Sequence, residues 1–224
     1  MPYDPRRHRR RSIRLRGYDY TQAGAYCVTI CARDRASIFG DIVDGVVRLS
    51  PVGAIVQSCW VSIPDHFPAA DLDAFVVMPN HLHGIVVLGS EGTACRAPTK
   101  GRDPSRPDLE LAFSGERFGA PVAGSIPTIV RSFKAAVTRA INEDRGRGTA
   151  CRAFLAERIG PLPSGRIPSL WQANYYEHVI RDDRSLESLQ AYIAANPARW
   201  AEDSLHPDHA DQSHHGRSRN HPPP

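Results

Sequence analysis

Two apolar runs separated by a short turn constrain the fold of this chain more than any other feature. The run LDAFVVM at 72–78 is followed by Pro79-Asn80 and then by HLHGIVVLG at 81–89. β-Branched and aromatic residues favour strands, and a Pro-Asn pair favours a turn. The segment therefore predicts an antiparallel hairpin, and a sheet built on it needs helices to bury its apolar face.

The remaining patterns supply further strands and those helices. Runs rich in β-branched and aromatic residues predict a strand at 24–34, one or two short strands at 36–50 around an Asp44-Gly45 turn, and a strand or turn with aromatic residues up to Ile180. Apolar residues at helical spacing predict helices at 50–67, 125–144 and from Asp182-Asp183 to about Ala195. The order of these elements predicts an α+β fold, an antiparallel sheet with helices on one face.

Composition divides the chain into one domain with extensions. A single domain is predicted over 18–200, after a basic arm at 1–17 and before a polar, proline-ended tail at 201–224 that we expect to be disordered. Irregular insertions rich in glycine, proline and charge are predicted at 90–124 and 145–166. The sequence GTACRA occurs in both insertions, at 92–97 and 148–153, and we expect both copies to lie in exposed loops.

The distribution of charge indicates a polyanionic partner. The net charge is only +4, so the whole chain is not a general polyanion binder, but seven arginines lie between Arg6 and Arg16 with no acid among them. Such an arm is either simply solvated or binds nucleic-acid phosphates. The arginines that we predict to contact DNA are Arg9, Arg10, Arg11, Arg14 and Arg16.

The polar face of the 125–144 helix leaves the same two alternatives open. Arg131, Lys134 and Arg139 share that face and form either a solvated surface or a second phosphate-binding surface. No apolar run approaches the length that spans a bilayer, and no apolar segment follows the basic N-terminus. We therefore expect no membrane partner and a cytoplasmic location.

His81 and His83 are the first candidate site residues. Residues two apart in a strand point to the same side, so two imidazoles could converge on one ion. The alternative is that one histidine belongs to the core and the other faces solvent.

Tyr192 and Asn196 lie four residues apart on the last helix and so share one face. They are either an edge-of-core tyrosine and a helix cap, or parts of the same site as the two histidines. In the second case two imidazoles and an amide oxygen form a three-ligand site suited to Mg²⁺ or Mn²⁺. Tyr192 would then lie beside a metal-bound phosphate and could attack it. Tyr175 and Tyr176 are rival nucleophiles without an amide one turn away.

Four blocks of the sequence together resemble the REP-associated tyrosine transposases of the single-tyrosine HUH superfamily. They are RRRSIRLRGYDYTQAGAYCVTICARDR, FVVMPNHLHGIVV, SFKAAVTRAIN and WQANYYEHVIRDDRSLESLQAYIAANPARW. The resemblance covers about residues 9–90 and 125–200. It implies a ferredoxin-like fold and a divalent-metal-dependent cut of single-stranded DNA at palindromic hairpins.

The same resemblance implies roles for the candidate residues. His81 and His83 correspond to the motif histidines, Tyr192 to the nucleophile that forms a 5′-phosphotyrosine, and Asn196 to the third ligand. The enzyme would act as a monomer or a homodimer in DNA transposition. A hairpin-binding protein that does not cut is the main alternative, and a replication initiator or relaxase is a third.

Overall fold

The computed structural model of the chain describes residues 18–89, 122–143, 147–162, 167 and 169–209. The strands are β1 Gly24–Cys31, β2 Gly40–Val43, β3 Val46–Leu49, β4 Ala70–Val77, β5 His81–Leu88 and β6 Tyr176–Ile180. The helices are α1 Pro51–Val61, α2 Ile63–His66, α3 Ile126–Glu143, α4 Arg147–Ile159 and α5 Asp183–Ala195. Two short 3-10 helices span Arg33–Arg35 and Pro197–Glu202. None of these helices is long and apolar enough to cross a bilayer.

The main sheet has the strand order β4-β5-β1-β6, and every neighbouring pair is antiparallel. Along the chain its strands alternate with α1 and α3 in the order β1-α1-β4-β5-α3-β6, which is the ferredoxin-like arrangement. The predicted α+β class is confirmed. The strands β2 and β3 form a separate hairpin whose turn residues, Asp44 and Gly45, both have positive φ, as the predicted turn requires.

The sheet carries helices on both faces. Val28, Leu82 and Val86 belong to the larger core cluster, which includes the apolar residues of α1, α3 and α4. Cys27 and Ile85 alternate with them along the strands and belong to a second cluster with Leu189 and Ile193 of α5. The prediction that the helices lie on one face is therefore corrected: α5 packs on the face opposite α1 and α3, because β1 and β5 are apolar on both sides.

Helix α4 corrects the prediction of an irregular insertion at 145–166. Cys151 and Leu155 are fully buried, and their spacing of four residues gives α4 a narrow apolar stripe. One such pair is too little to predict a helix from sequence, but packing against α1 and α3 stabilises it. The GTACRA copy at 148–153 therefore lies within α4, with its cysteine in the core, and the expectation of an exposed loop was wrong for this copy. The copy at 92–97 lies outside the described residues.

The first part of the predicted disordered tail is also ordered. Residues 201–202 complete the second 3-10 helix, and Asp203 is buried. The carbonyl of Leu205 accepts a hydrogen bond from Asn80 Nδ2 at 2.8 Å. Polar contacts of this kind fix the segment, and they leave no apolar pattern from which order could be predicted. The predicted arm at 1–17, residues 90–121 of the first insertion and residues 210–224 lie outside the described residues.

Candidate metal and nucleophile site

The two histidines lie at the start of β5, on the face that α5 covers. In the sheet His81 pairs with Cys31 and His83 pairs with Thr29 of β1. Both imidazoles are buried, and their ring centroids lie 4.5 Å apart. The sequence left open whether the two imidazoles converge or whether one of them faces solvent. In the structure they lie together, and neither ring is in solvent.

His81 is oriented by the turn that precedes it. Asn80 Nδ2 donates hydrogen bonds to the carbonyls of Leu205 and Arg35, at 2.8 and 3.2 Å. The amide oxygen is thereby left to face His81 Nδ1 at 2.8 Å, and an amide oxygen can only accept. This fixes the proton of His81 on Nδ1 and leaves a lone pair on Nε2, the arrangement that a metal-binding histidine requires.

His83 is oriented by β1. Its Nδ1 lies 2.8 Å from the hydroxyl of Thr29, the residue paired with it in the sheet. With a proton on Nδ1 donated to that hydroxyl, Nε2 again carries a lone pair. This second Nε2 lies 3.5 Å from the hydroxyl of Tyr192.

Asp203 brings a carboxylate to the two imidazoles. Its Oδ1 accepts the backbone N–H of Leu205 at 2.7 Å, and its Oδ2 lies 3.7 Å from His81 Nε2. One ligand atom from each of His81, His83 and Asp203 can be chosen so that all three lie within 4.8 Å of one another. A cluster of this size, with all three side chains buried, fits a single metal ion.

Buried acceptor atoms without a hydrogen-bond donor support that fit. Within the described part of the chain, His81 Nε2, Asp203 Oδ2 and Asn196 Oδ1 are buried without a hydrogen-bond partner. All three are acceptors, given the proton on His81 Nδ1, and buried acceptors without a donor are costly. A divalent cation bound by the cluster would satisfy His81 Nε2 and Asp203 Oδ2, and imidazole nitrogens with a carboxylate oxygen form a donor set that suits Mn²⁺ and related ions.

Burial keeps both imidazoles neutral at physiological pH. Desolvation lowers the pKa of His83 to about 4, against a smaller opposing effect of the Asp203 carboxylate. Desolvation also lowers the pKa of His81 well below its usual value, with smaller contributions from His83 and Arg35. Neutral imidazole is the form that binds metal, so neither histidine has to lose a proton first.

Tyr192 reaches the site from α5. Leu189 and Ile193 anchor this helix on the sheet, and Gln190 Nε2 donates to the Asp73 carboxylate on β4 at 2.8 Å. Burial and the Asp203 carboxylate raise the pKa of the Tyr192 phenol, whereas a hydrogen bond from Asn196 lowers it. The phenol is therefore protonated at neutral pH, and a nearby cation would be needed to activate it as a nucleophile.

The structure brings four predicted site residues together and separates others from them. His81, His83 and Tyr192 lie together, and Asn196 is linked to them through its hydrogen bond to Tyr192. Arg131 and Arg139 are exposed on α3, which packs on the opposite face of the sheet. The remaining α3 cation, Lys134, donates to the backbone carbonyls of Gln172 and Asn174 at 2.9 and 3.1 Å. It thus fixes the loop before β6. The five arginines predicted in the arm lie outside the described residues.

Three residues at the site were missed from the sequence. Thr29 could have been found, because it is a polar residue in an otherwise apolar strand. Asp203 gave no signal, since it stands in a polar stretch without periodicity.

Arg35, the third missed residue, is placed by an unusual turn in which it and Asp34 both have φ of 55°. Its guanidinium donates to the Ser204 carbonyl at 3.4 Å, next to Asp203. It also borders a cavity of about 660 Å³ together with Arg33 and Trp171. The site thus has a cation on its Asp203 side.

Two proteins of Haemophilus influenzae are similar in sequence. One, named only as uncharacterized, is 35% identical over 202 residues, which cover 90% of this chain and 95% of that protein. The other, named "Putative REP-associated tyrosine transposase", is 23% identical over 199 residues, 85% of this chain and 84% of that protein. No family model matches the chain. The first identity, over nearly the whole of both proteins, is high enough to place the two chains in one family.

Two solved structures are more distant. A REP-associated tyrosine transposase bound to a REP hairpin is 18% identical, with a TM-score of 0.45 over 84% of this chain and 74% of that chain. A Deinococcus radiodurans protein named "putative transposase" is 17% identical, with a TM-score of 0.37 over 82% of this chain and 96% of that chain.

Proposed function

We propose that the chain is a REP-associated tyrosine transposase, which nicks single-stranded DNA beside a palindromic hairpin and rejoins strands in DNA transposition. The observation that carries the proposal is the buried group of His81, His83 and Asp203, with the Tyr192 hydroxyl 3.5 Å from His83 Nε2. A protein that only binds hairpins has no use for a phenol next to three convergent acceptors. The chain would act in the cytoplasm.

The metal would be Mg²⁺ or Mn²⁺. His81 Nε2, His83 Nε2 and Asp203 Oδ2 would hold it, and we propose the buried Asn196 Oδ1, which has no hydrogen-bond partner among the described residues, as a further ligand. When bound, such an ion neutralises negative charge on the phosphate oxygens and makes phosphorus more electrophilic. Asp203 thereby joins the ligands that the sequence predicted.

Tyr192 would be the nucleophile. Its phenol oxygen forms a bond to phosphorus as the bond from phosphorus to the 3′-oxygen breaks, and the phenol proton passes to water. The leaving 3′-oxygen takes the electron pair and gains a proton from water, which leaves a 3′-hydroxyl and a 5′-phosphotyrosine. Asn196 would stabilise the phenolate through the hydrogen bond that already lowers the pKa of Tyr192. A 3′-hydroxyl that later attacks the phosphotyrosine reverses the step without a nucleotide cofactor.

The reaction would be completed within one chain. Tyr192 lies beside His83 of the same chain, so neither a second subunit nor an exchange of helices is needed. We therefore propose that a monomer cuts. The arginines of the N-terminal arm would hold the hairpin, and Arg131 and Arg139 would contact DNA only if the hairpin extends around the sheet to α3.

A covalent-adduct assay tests the proposal. The protein is incubated with Mn²⁺ or Mg²⁺ and a labelled single-stranded DNA that carries a palindromic hairpin and its flanks from the neighbourhood of the gene. We expect a protein–DNA band on a denaturing gel that requires metal and is absent from Tyr192→Phe. His81→Ala and His83→Ala should also lose the band.

Tyr175→Phe serves as the matched control, because Tyr175 is buried on the loop before β6 and should not affect the band. Hairpin binding without an adduct under either metal would favour the protein that binds and does not cut. A band that survives Tyr192→Phe would retain the reaction and refute this nucleophile.

A further inference from the structure

A groove runs between β6 and α5 next to the candidate nucleophile. It is a cavity of about 380 Å³, within the range of small-molecule sites, roughly 300–1,000 Å³. Among the residues that line it are Tyr176 and His178 of β6, Arg184 and Ser188 of α5, and the site residues His83 and Tyr192. The groove is thus continuous with the site, and neither the metal cluster nor the nucleophile accounts for its far end.

Tyr176 stands at that far end as an exposed aromatic residue. Thr29 pairs with His83 on one side and with Tyr176 on the other, so these three side chains form one row across β5, β1 and β6. Two strand spacings separate the ends of the row, roughly 10 Å. Tyr176 is 50% exposed, although it lies on the same face of the sheet as the buried His83. An exposed ring on a sheet surface is the usual platform for stacking an unpaired base.

The direction of the strand follows from the geometry of displacement. The attacking and leaving oxygens at phosphorus lie roughly in line, so the 3′-oxygen departs on the side away from Tyr192. The nucleotide upstream of the nick leaves with that oxygen. The downstream nucleotide stays attached to phosphorus through its 5′-oxygen, so it remains covalently joined to Tyr192 after the cut.

We propose that the groove between β6 and α5 holds the nucleotide immediately 3′ of the nick, with its base stacked on Tyr176 and its next phosphate at Arg184. The proposal rests on the proposed function and adds the polarity of the strand across the site. Arg184 is exposed at the first turn of α5, and Ser185 and Ser188 line the groove beside it. The upstream strand then leaves on the opposite side, where Arg33 and Arg35 border the larger cavity.

A binding cycle with abasic DNA tests the stacking contact. The Tyr192→Phe protein is titrated with labelled hairpin DNAs in which an abasic site is moved one position at a time along the single strand. We expect Tyr176→Ala to weaken binding of intact DNA about tenfold. It should have no further effect when the abasic site replaces the base that stacks on it. Tyr176→Phe keeps the ring and should bind as well as the parent.

The nick position from the wild-type protein then fixes the polarity. The 3′-hydroxyl end of the cut strand is mapped on a sequencing gel, and the nucleotide coupled to Tyr176 should be the first one downstream. Coupling here means that Tyr176→Ala no longer weakens binding when the abasic site is at that nucleotide. Coupling to an upstream nucleotide, or no coupling at any position, would overturn the proposal. Coupling in a protein that forms no adduct would retain the groove as a base site but refute cutting, so the two failures are distinguishable.

The phosphate contact has its own control. Arg184→Ala should reduce the slope of log affinity against log salt by about one, the expected loss for one phosphate contact. Arg48→Ala removes an exposed arginine from the β2–β3 hairpin and should leave the slope unchanged. Equal slopes for the two variants would place the phosphate elsewhere.

Discussion

Replacement of Asp203 by asparagine separates the structural role of this residue from its role toward a metal. Asparagine keeps an Oδ1 that can accept the Leu205 N–H, which Asp203 now does at 2.7 Å. At the other position a neutral amide replaces the carboxylate oxygen that lies 3.7 Å from His81 Nε2. The amide can donate to that nitrogen, so the variant should fold with the same local geometry but without the charge that a cation needs.

The expected effect changes sign with metal. In chelator, the substitution removes a buried carboxylate oxygen without a partner among the described residues, and we expect the free energy of unfolding to rise by about 1 kcal/mol. Loss of a group that only hydrogen-bonds to a metal ligand weakens metal binding by up to roughly 100-fold. Loss of the ligand Asp203 itself should therefore raise the metal dissociation constant by at least this factor. At metal 100-fold above the wild-type constant, stabilisation should fall from about 2.7 to about 0.4 kcal/mol.

Urea unfolding in chelator measures the change in the free energy of unfolding without metal, and urea unfolding with Mn²⁺ measures the stabilisation by the metal. Asp208→Asn is the matched control, because this carboxylate is exposed in the same segment and should respond to Mn²⁺ as the wild type does. Equal stabilisation of Asp203→Asn and wild type by Mn²⁺ would show that the carboxylate is not a ligand. A variant that is less stable than wild type in chelator would show that Oδ2 has a favourable partner, contrary to the argument.

Three further predictions concern the support of the site. Gly84→Ala would place a Cβ 2.3 Å from the buried Trp60 ring and should cost about 1–3 kcal/mol in urea unfolding, whereas Gly89→Ala, with only an ordinary contact at 3.8 Å, should be neutral. Thr29→Val removes the partner of His83 Nδ1 and should weaken Mn²⁺ binding by calorimetry roughly 10- to 100-fold; Thr29→Ser should keep it. Because burial lowers the pKa of His83 to about 4, the unfolded chain binds more protons below about pH 6.5. In chelator, stability should therefore be lost as pH falls from about 6.5 to about 4, and a flat profile would contradict this burial effect.

The fold was predictable because its strands and helices are strongly patterned. The Ser50 cap of α1 and the Asp182 cap of α5 accept the backbone bonds that their positions predict. Leu189 and Ile193, four residues apart, form the buried side of α5, and Tyr192 packs against the same cluster. What the pattern could not give was the face of the sheet on which α5 packs, because β1 and β5 are apolar on both sides.

The site was only partly predictable, for a different physical reason. Residues two apart in a strand or four apart in a helix share a direction, so local spacing is enough to pair His81 with His83 and Tyr192 with Asn196. Asp203 and Arg35 reach the site from segments that hydrogen bonds between distant parts of the chain hold in place. No periodicity records such contacts, and a polar stretch that closes a site resembles a disordered tail in composition.

Asn80 contributes both to the turn of the β4–β5 hairpin and to the geometry of the candidate site. In the sequence it is half of a turn, and Pro-Asn is adequate for that purpose alone. In the structure it is buried, and its amide holds together the Arg35 turn, the segment after Asp203 and the ring of His81. The tautomer of a candidate metal ligand and the position of the carboxylate opposite it therefore depend on one side chain. The site therefore requires residues 203–209 to be ordered. The turn of the β4–β5 hairpin also determines the tautomer of His81, the first residue of β5.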